Sequence, residues 1–206
     1  MRISEICISD DYSNDGSFEK LTRWATKKFP RVSLYRNAKN LDCYANKHRA
    51  VQLARHDWVI LFDDDNILPT SYLDILFKLP QWDTQTVYCP DFAQPHFDYT
   101  AFSGQTVTRE NVAGLMPKPH FATALNTANY FFHKWTWLGV WDDTVNPHTA
   151  DSIYQAYRLL AAGKQLHVTS GLRYFHRVHN GSHYKNNVHK TGNFAAEVEA
   201  KLKSLK

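Results

Sequence analysis

The sequence predicts one α/β domain with a mostly parallel central sheet flanked by helices. Short apolar runs rich in β-branched and aromatic residues alternate with segments of helical period, the order that builds parallel sheets with crossover helices. The 206 residues suffice for a single domain with a sizeable core. No fixed-period repeat, low-complexity tract or change of composition divides the chain.

Arg2–Ser9 ("RISEICIS") reads as a strand that runs into Asp10 and Asp11. Ser17–Phe29 places Phe18, Leu21, Trp24 and Ala25 on one helical face, and Pro30 stops it. Val32–Tyr35 is a short strand, Tyr44–Arg55 a helix carrying Ala50, Val51, Leu53 and Ala54, and Trp58–Phe62 a buried strand. Thr70 or Ser71 is expected to cap a helix reaching Leu79, and Thr86–Cys89 returns to the sheet. Pro, Gly and aromatic residues from Asp91 to Phe121 predict long loops. Tyr130–His133 reads as a strand and Thr149–Ala162 as a helix closed by Gly163. Gln165–Val168 and Arg173–Val178 read as two further strands. Asn193–Leu205 sets Phe194, Val198, Leu202 and Leu205 on one face among lysines, a docked amphipathic helix.

A composition of 43% hydrophobic and 21% charged residues excludes a disordered chain. A net charge of +4 is too small to point to nucleic acid. No apolar run nears the ~20 residues that span a bilayer, and no secretory leader is recognisable, so no transmembrane segment is expected. Cys7, Cys43 and Cys89 are odd in number and scattered, which suggests reduced thiols and a cytoplasmic location. The Asn180-Gly181-Ser182 sequon is then idle.

In "WVILFDDDNILP" a buried strand runs straight into Asp63, Asp64 and Asp65. Three adjacent like charges repel one another and resist burial. In an open parallel sheet, ligands bind beyond the carboxyl ends of the strands. Hard oxygen donors clustered there suit Mn²⁺ or Mg²⁺, which bridge carboxylates to substrate phosphates. A solvated turn followed by a helix cap uses the same residue types. The position directly after a buried strand favours the metal.

Five segments in chain order resemble the glycosyltransferase family 2 pattern of the GT-A fold. "EICISDDYSNDGS" resembles the family's second strand and DDGSxDGS turn, and "ANKHRAVQLARHDWVILFDDDNILP" its helix, strand and DxD motif. "TANYFFHKWTWLGVWDD", "ADSIYQAYRLLAAGKQL" and "RYFHRVHNGSH" are similar to its later strand, its acidic helix and its closing motif. Each match is weak alone; five in order, from about residue 5 to residue 183, are specific.

The resemblance implies a GT-A domain over residues 1–206, with a nucleotide and metal half at about 1–90 and an acceptor half at about 91–190. It implies a metal-dependent hexosyltransferase taking a nucleotide-diphosphate sugar, a UDP-sugar first among these, with a glycan or other hydroxyl acceptor. Asp10 and Asp11 would meet the nucleobase and ribose, Asp63 the ribose, and Lys47 the diphosphate. Asp65, with Asp64, would hold Mn²⁺ or Mg²⁺, and His179 would complete the coordination, with His176 and His183 as alternatives. A separate zinc site from these histidines suits the residue type, but strand spacing turns His176 and His179 to opposite faces. Trp137, Trp141 and Asn129 are the expected acceptor contacts, although aromatic residues more often serve the core.

Two departures from the family pattern bear on function. Only residues 1–5 precede the first strand's core, where the family opens with an earlier strand and loop; the chain reads as a minimal domain or as part of a larger multidomain protein. Anchoring Arg158 and Gly163 to the family's Arg and Gly puts Ser152 where inverting members carry their general base, and a one-residue shift restores Asp151. Asp143 and Asp142 are the next carboxylates. Inverting and retaining chemistry both stay open. A catalytically silent sugar-nucleotide-binding module is the rival from another class. A nucleotidyltransferase should carry a Gly-rich basic phosphate loop, and the sequence has none.

Overall fold

The computed structural model describes residues 3–28, 30–125, 129–177 and 183–206. The first half alternates strand and helix as the periodicity predicts: β1 (Ile6–Asp10), α1 (Ser17–Lys28), β2 (Val32–Arg36), α2 (Asp42–Leu53), β3 (Trp58–Ile60), α3 (Thr70–Leu76) and β4 (Thr86–Gln94). Then come β5 (Phe97–Asp98), β6 (Thr106–Val107), two short helices α4 (Val112–Leu115) and α5 (Phe121–Leu125), and β7 (Phe131–His133). The chain closes with α6 (Lys134–Leu138), α7 (Asp151–Ala161), β8 (Gln165–Phe175), α8 (His183–Thr191) and α9 (Phe194–Lys203).

The strands form two sheets. β1 and β2 pair in parallel, Ile6 opposite Val32 and Asp10 opposite Arg36. The second sheet runs β3-β7-β4-β8-β6, with β5 hairpinned onto β4. Its longest ladder, β4 with β8, is parallel, while β3–β7, β4–β7, β4–β5 and β6–β8 are antiparallel. The parallel pairs thus carry most of the register, with short antiparallel strands between and beside them. Among the described residues β1 pairs only with β2, and β3 only with β7.

Three expectations are corrected. The stretch from Asp91 to Phe121 is not a set of loops: β4 extends to Gln94, and Tyr99, Phe102, Val107, Val112, Leu115 and Met116 are core residues. Pro90 and Pro95 hid the pattern, since proline normally marks strand ends or bulges. The two C-terminal strands are one, β8, interrupted by a bulge where the register shifts between Pro90 and Phe92 of β4. Gly171 sits in that bulge at φ +77°, and the carboxylate of Asp91, 2% exposed, fills it. Asp91 accepts from the Gly171 N–H at 2.8 Å and the Ser103 hydroxyl at 3.0 Å and pairs with Arg173 at 3.2 Å, so the extra backbone is satisfied locally. The third correction concerns caps. Pro69, not Thr70 or Ser71, is the N-cap of α3, with no side-chain cap bond.

The core lies between the second sheet and α7, whose Ile153, Ala156, Leu159 and Leu160 are at most 2% exposed. From the C-terminal helix α9, Val198 and Leu202 join that cluster, as their spacing predicts. On α1, by contrast, Ala25 is buried while Trp24 stays 44% exposed. Among the described residues no helix is long and apolar enough to cross a membrane, and Cys7, Cys43 and Cys89 are free thiols.

Candidate active site

A cleft of about 2280 Å³ runs along β1 and β3, from Ile3 and Trp82 to the carboxyl ends of both strands and the first turn of α7. Its wall includes Asp10, Asp11, Lys47, Asp63, Asp64, Asp65 and Asp151, so seven of the sequence-predicted residues, distant in the chain, do converge.

At the β1 end the two acids divide their work. Asp10, 7% exposed, accepts the Ser13 N–H at 3.2 Å and faces the Arg36 guanidinium at 3.4 Å. Asp11 accepts the Leu41 N–H at 2.7 Å and the Asn37 amide at 3.0 Å with the same oxygen. It therefore caps the entry to α2 from outside the helix, where the N-cap position Leu41 has no side chain able to do so. Asn46 ties α2 back to β1, exchanging bonds of 2.7 and 3.1 Å with Ser9. Neither Asn37 nor Asn46 was singled out in the sequence: Asn37 lies in the turn after β2 and Asn46 on α2, and no local pattern links the two.

At the β3 end the Asp63 N–H donates to Asn129 at 2.8 Å. Asn129, 1% exposed and at φ +74°, is a buried strut rather than an acceptor contact on the cleft wall, and its carbonyl accepts the Tyr72 hydroxyl at 2.7 Å. The aspartate turn is stitched to the end of β8: Ile67 and Phe175 exchange two backbone bonds of 3.0 Å, the Arg177 N–H reaches Asn66 at 3.2 Å, and the Arg177 guanidinium bonds the Asp65 carbonyl. Asp63 and Asp65 are half-buried and Asp64 is exposed.

Lys47 stands at the centre. Its ammonium lies 2.8 Å from Asp151 and 3.3 Å from Asp63, joining α2, the end of β3 and the first residue of α7. Burial works against its charge, but Asp151 and Asp63 outweigh that and raise its pKa well above the ordinary value. Lysine is thus the cation that lets two carboxylates approach in a partly dry site.

His179 lies outside the described residues. His176 does border the aspartates: burial and the neighbouring His96 hold its pKa below the usual value, while Asp65 and Asp63 pull it up. Its ring packs against Phe97 at 5.1 Å and His96 at 5.3 Å. Among the described residues no three His, Cys, Asp or Glu side chains form a complete metal-binding group.

The two tryptophans do not line the cleft. Trp137 is 3% exposed and stacks on Phe132 at 4.8 Å in the core. Trp141 lies on α2, stacked on His48 at 3.9 Å and Tyr44 at 4.3 Å. Asp143 is exposed in the loop after α6 and is not on the cleft wall. Its neighbour Asp142 is structural. The Thr144 hydroxyl, the Tyr154 hydroxyl and the Thr144 N–H lower its pKa from 3.8 to about 2, and Arg158 lies 3.4 Å away. A depressed folded-state pKa contributes stability above the unfolded value that is lost as pH falls through the folded one. Urea unfolding is therefore expected to show stability declining from about pH 4 towards pH 2, and Asp142→Asn should flatten that slope.

Comparison with known proteins agrees with this architecture. Residues 2–133, more than half of the chain, match the model of glycosyl transferase family 2. A cholesterol galactosyltransferase of Borreliella burgdorferi is 26% identical over 121 residues, which are 59% of this chain and 31% of that protein. The crystal structure of residues 1–349 of S. aureus TarS superposes with a TM-score of 0.63 at 12% identity, covering 94% of this chain and 55% of that one. The same region of TarS in complex with UDP superposes equally well. A Pyrobaculum calidifontis mannosyltransferase in complex with GDP-Man and Mn²⁺ gives a TM-score of 0.56 at 13% identity over 96% of this chain and 60% of that one. The chain thus spans about a third to three-fifths of the lengths of these relatives. With residues 2–133 matching that family model and the fold shared with its glycosyltransferase neighbours, the chain belongs to glycosyl transferase family 2.

Proposed function

We propose that the chain transfers a sugar from a nucleotide-diphosphate donor, a UDP-sugar in our reading, to a hydroxyl of a glycan or other acceptor. The carrying observation is the junction of Lys47 with Asp63 and Asp151 beside the aspartate turn, three elements meeting in one cleft. The relatives that bind UDP, or GDP-Man with Mn²⁺, support the donor class.

Asp65 and Asp64 suit Mn²⁺ or Mg²⁺: both are hard oxygen donors on an open cleft, and such ions take one or two carboxylates and complete their shells with substrate phosphates and water. When bound, the metal neutralises the diphosphate and so eases its departure. Asp63 accepts a ribose hydroxyl and Asp10 a nucleobase N–H. Lys47, beside Asp63, meets the diphosphate. In an inverting reaction one Asp151 oxygen takes the proton of the acceptor hydroxyl, while the other stays with Lys47 at 2.8 Å.

Calorimetry of UDP with Mn²⁺ tests the assignment. Asp65→Ala is expected to lose metal-dependent UDP binding while keeping its thermal midpoint, because Asp65 is a turn residue outside the core. Unchanged Mn²⁺ and UDP affinity in that variant would falsify the site. Intact UDP binding without turnover on any donor would instead favour a silent binding module, the reading that Ser152 beside Asp151 leaves standing.

A further inference from the structure

We infer that Tyr12 is the platform on which the donor's nucleobase stacks, with Arg36 clamping one face of the ring; this rests on the nucleotide-sugar reading above. Tyr12 follows the two acids at the end of β1 and lines the same cleft as Asp10, Lys47 and Asp63. It is 55% exposed, the second most exposed large hydrophobic side chain among the described residues after Trp135. Its backbone stands at φ +61°, in the left-handed region that L residues with bulky side chains rarely adopt. Gly16, four residues on, meets the same demand at φ +78° with the residue that fits it. Folding alone would be served better by glycine or asparagine at position 12. A ring held out into a cleft at the expense of backbone strain is the pattern of a ligand clamp.

One face of the ring is already occupied. The Arg36 guanidinium carbon lies 5.3 Å from the Tyr12 centroid and 5.0 Å from that of Phe18. Arg36 is fixed by Glu19 at 2.9 Å, the Ser13 carbonyl at 2.6 Å and Asp10 at 3.4 Å. A cation so anchored holds one face of the ring and limits its rotation. A planar base laid on the other face would add stacking that tolerates any base. Asp10, two residues away, is the acceptor at hand for a base N–H, which is the part that can discriminate between bases. The alternative is that Tyr12 merely shields Arg36 from solvent, and the two differ in what they predict for ligands.

The glycine variant separates them, because it relieves the positive φ while deleting the ring. Tyr12→Gly is expected to fold with an unchanged or raised thermal midpoint and to bind UDP with Mn²⁺ roughly ten-fold or more weakly by calorimetry. Its affinity for pyrophosphate with Mn²⁺, which carries no base, should match the wild type. Tyr12→Phe should restore UDP binding and Tyr12→Leu should not. UDP affinity equal to wild type in Tyr12→Gly, or an equal loss for UDP and pyrophosphate, overturns the stacking role alone. A wild-type chain that binds neither ligand overturns the nucleotide-sugar reading and the platform with it.

Discussion

Asp151→Asn is expected to lower sugar transfer at least a hundred-fold while changing UDP affinity little. A positioned general base contributes on the order of 10²–10⁴ in rate, and asparagine has the shape of aspartate without a site for the proton. Three placements support the role. Asp151 opens α7, so its carboxylate meets the positive end of that helix dipole. It is 8% exposed yet lies on the cleft wall, and Lys47 fixes its direction. Initial rates with a UDP-sugar and Mn²⁺ decide the matter: turnover within about two-fold of wild type would remove Asp151 from the chemistry. The reaction would then have to rely on another acceptor for the proton, such as a donor phosphate oxygen in a retaining mechanism.

Lys47→Met should carry the largest cost in stability. Methionine matches the length of the lysine stem but leaves Asp63 and Asp151 facing each other without a cation. Breaking a buried ion pair from one side costs about 3–5 kcal/mol, and the lower figure applies because solvent still reaches 19% of the Lys47 side chain and 33% of that of Asp63. Denaturant midpoints would read the loss, and Lys47→Arg should recover part of it. An unchanged midpoint in Lys47→Met would mean that the three-way junction contributes nothing to folding. If the proposed donor site is right, the same substitution should weaken UDP binding, because it removes a positive charge from the cleft wall.

The convergence of the candidate residues was legible in the sequence wherever chemistry and chain position coincide. The jump from Trp58–Phe62 to three aspartates marks a strand end whatever surrounds it, and Lys47 and Asp151 followed from motif order. What stayed hidden depended on partners far along the chain. Asp10 and Asp11 look equivalent side by side, yet Leu41 and Asn37 claim Asp11, some thirty positions away. Trp137 and Trp141 look like sugar-stacking rings beside an acid pair, but Phe132, Tyr44 and His48 absorb their faces. The β8 bulge read as a gap between two strands because Asp91, which fills it, lies eighty positions earlier. Periodicity reports a residue's own face and cannot see what arrives opposite it.

The division into two sheets has a mechanical consequence. Backbone ladders resist separation cooperatively, and none joins β1 to β3 among the described residues. The floor that would hold the base and the floor that would hold the phosphates can therefore shift relative to each other without parting any bond of β4–β8. What spans them is α2, which packs on β1 at one side and on α6 and α7 at the other, with Lys47 on its cleft face. Cleft width is then set by one helix and its side-chain ties, Asn46 to Ser9 on one flank and Lys47 to two carboxylates on the other. A donor that bridges both floors would act as a cross-brace between two sheets that no backbone ladder joins among the described residues.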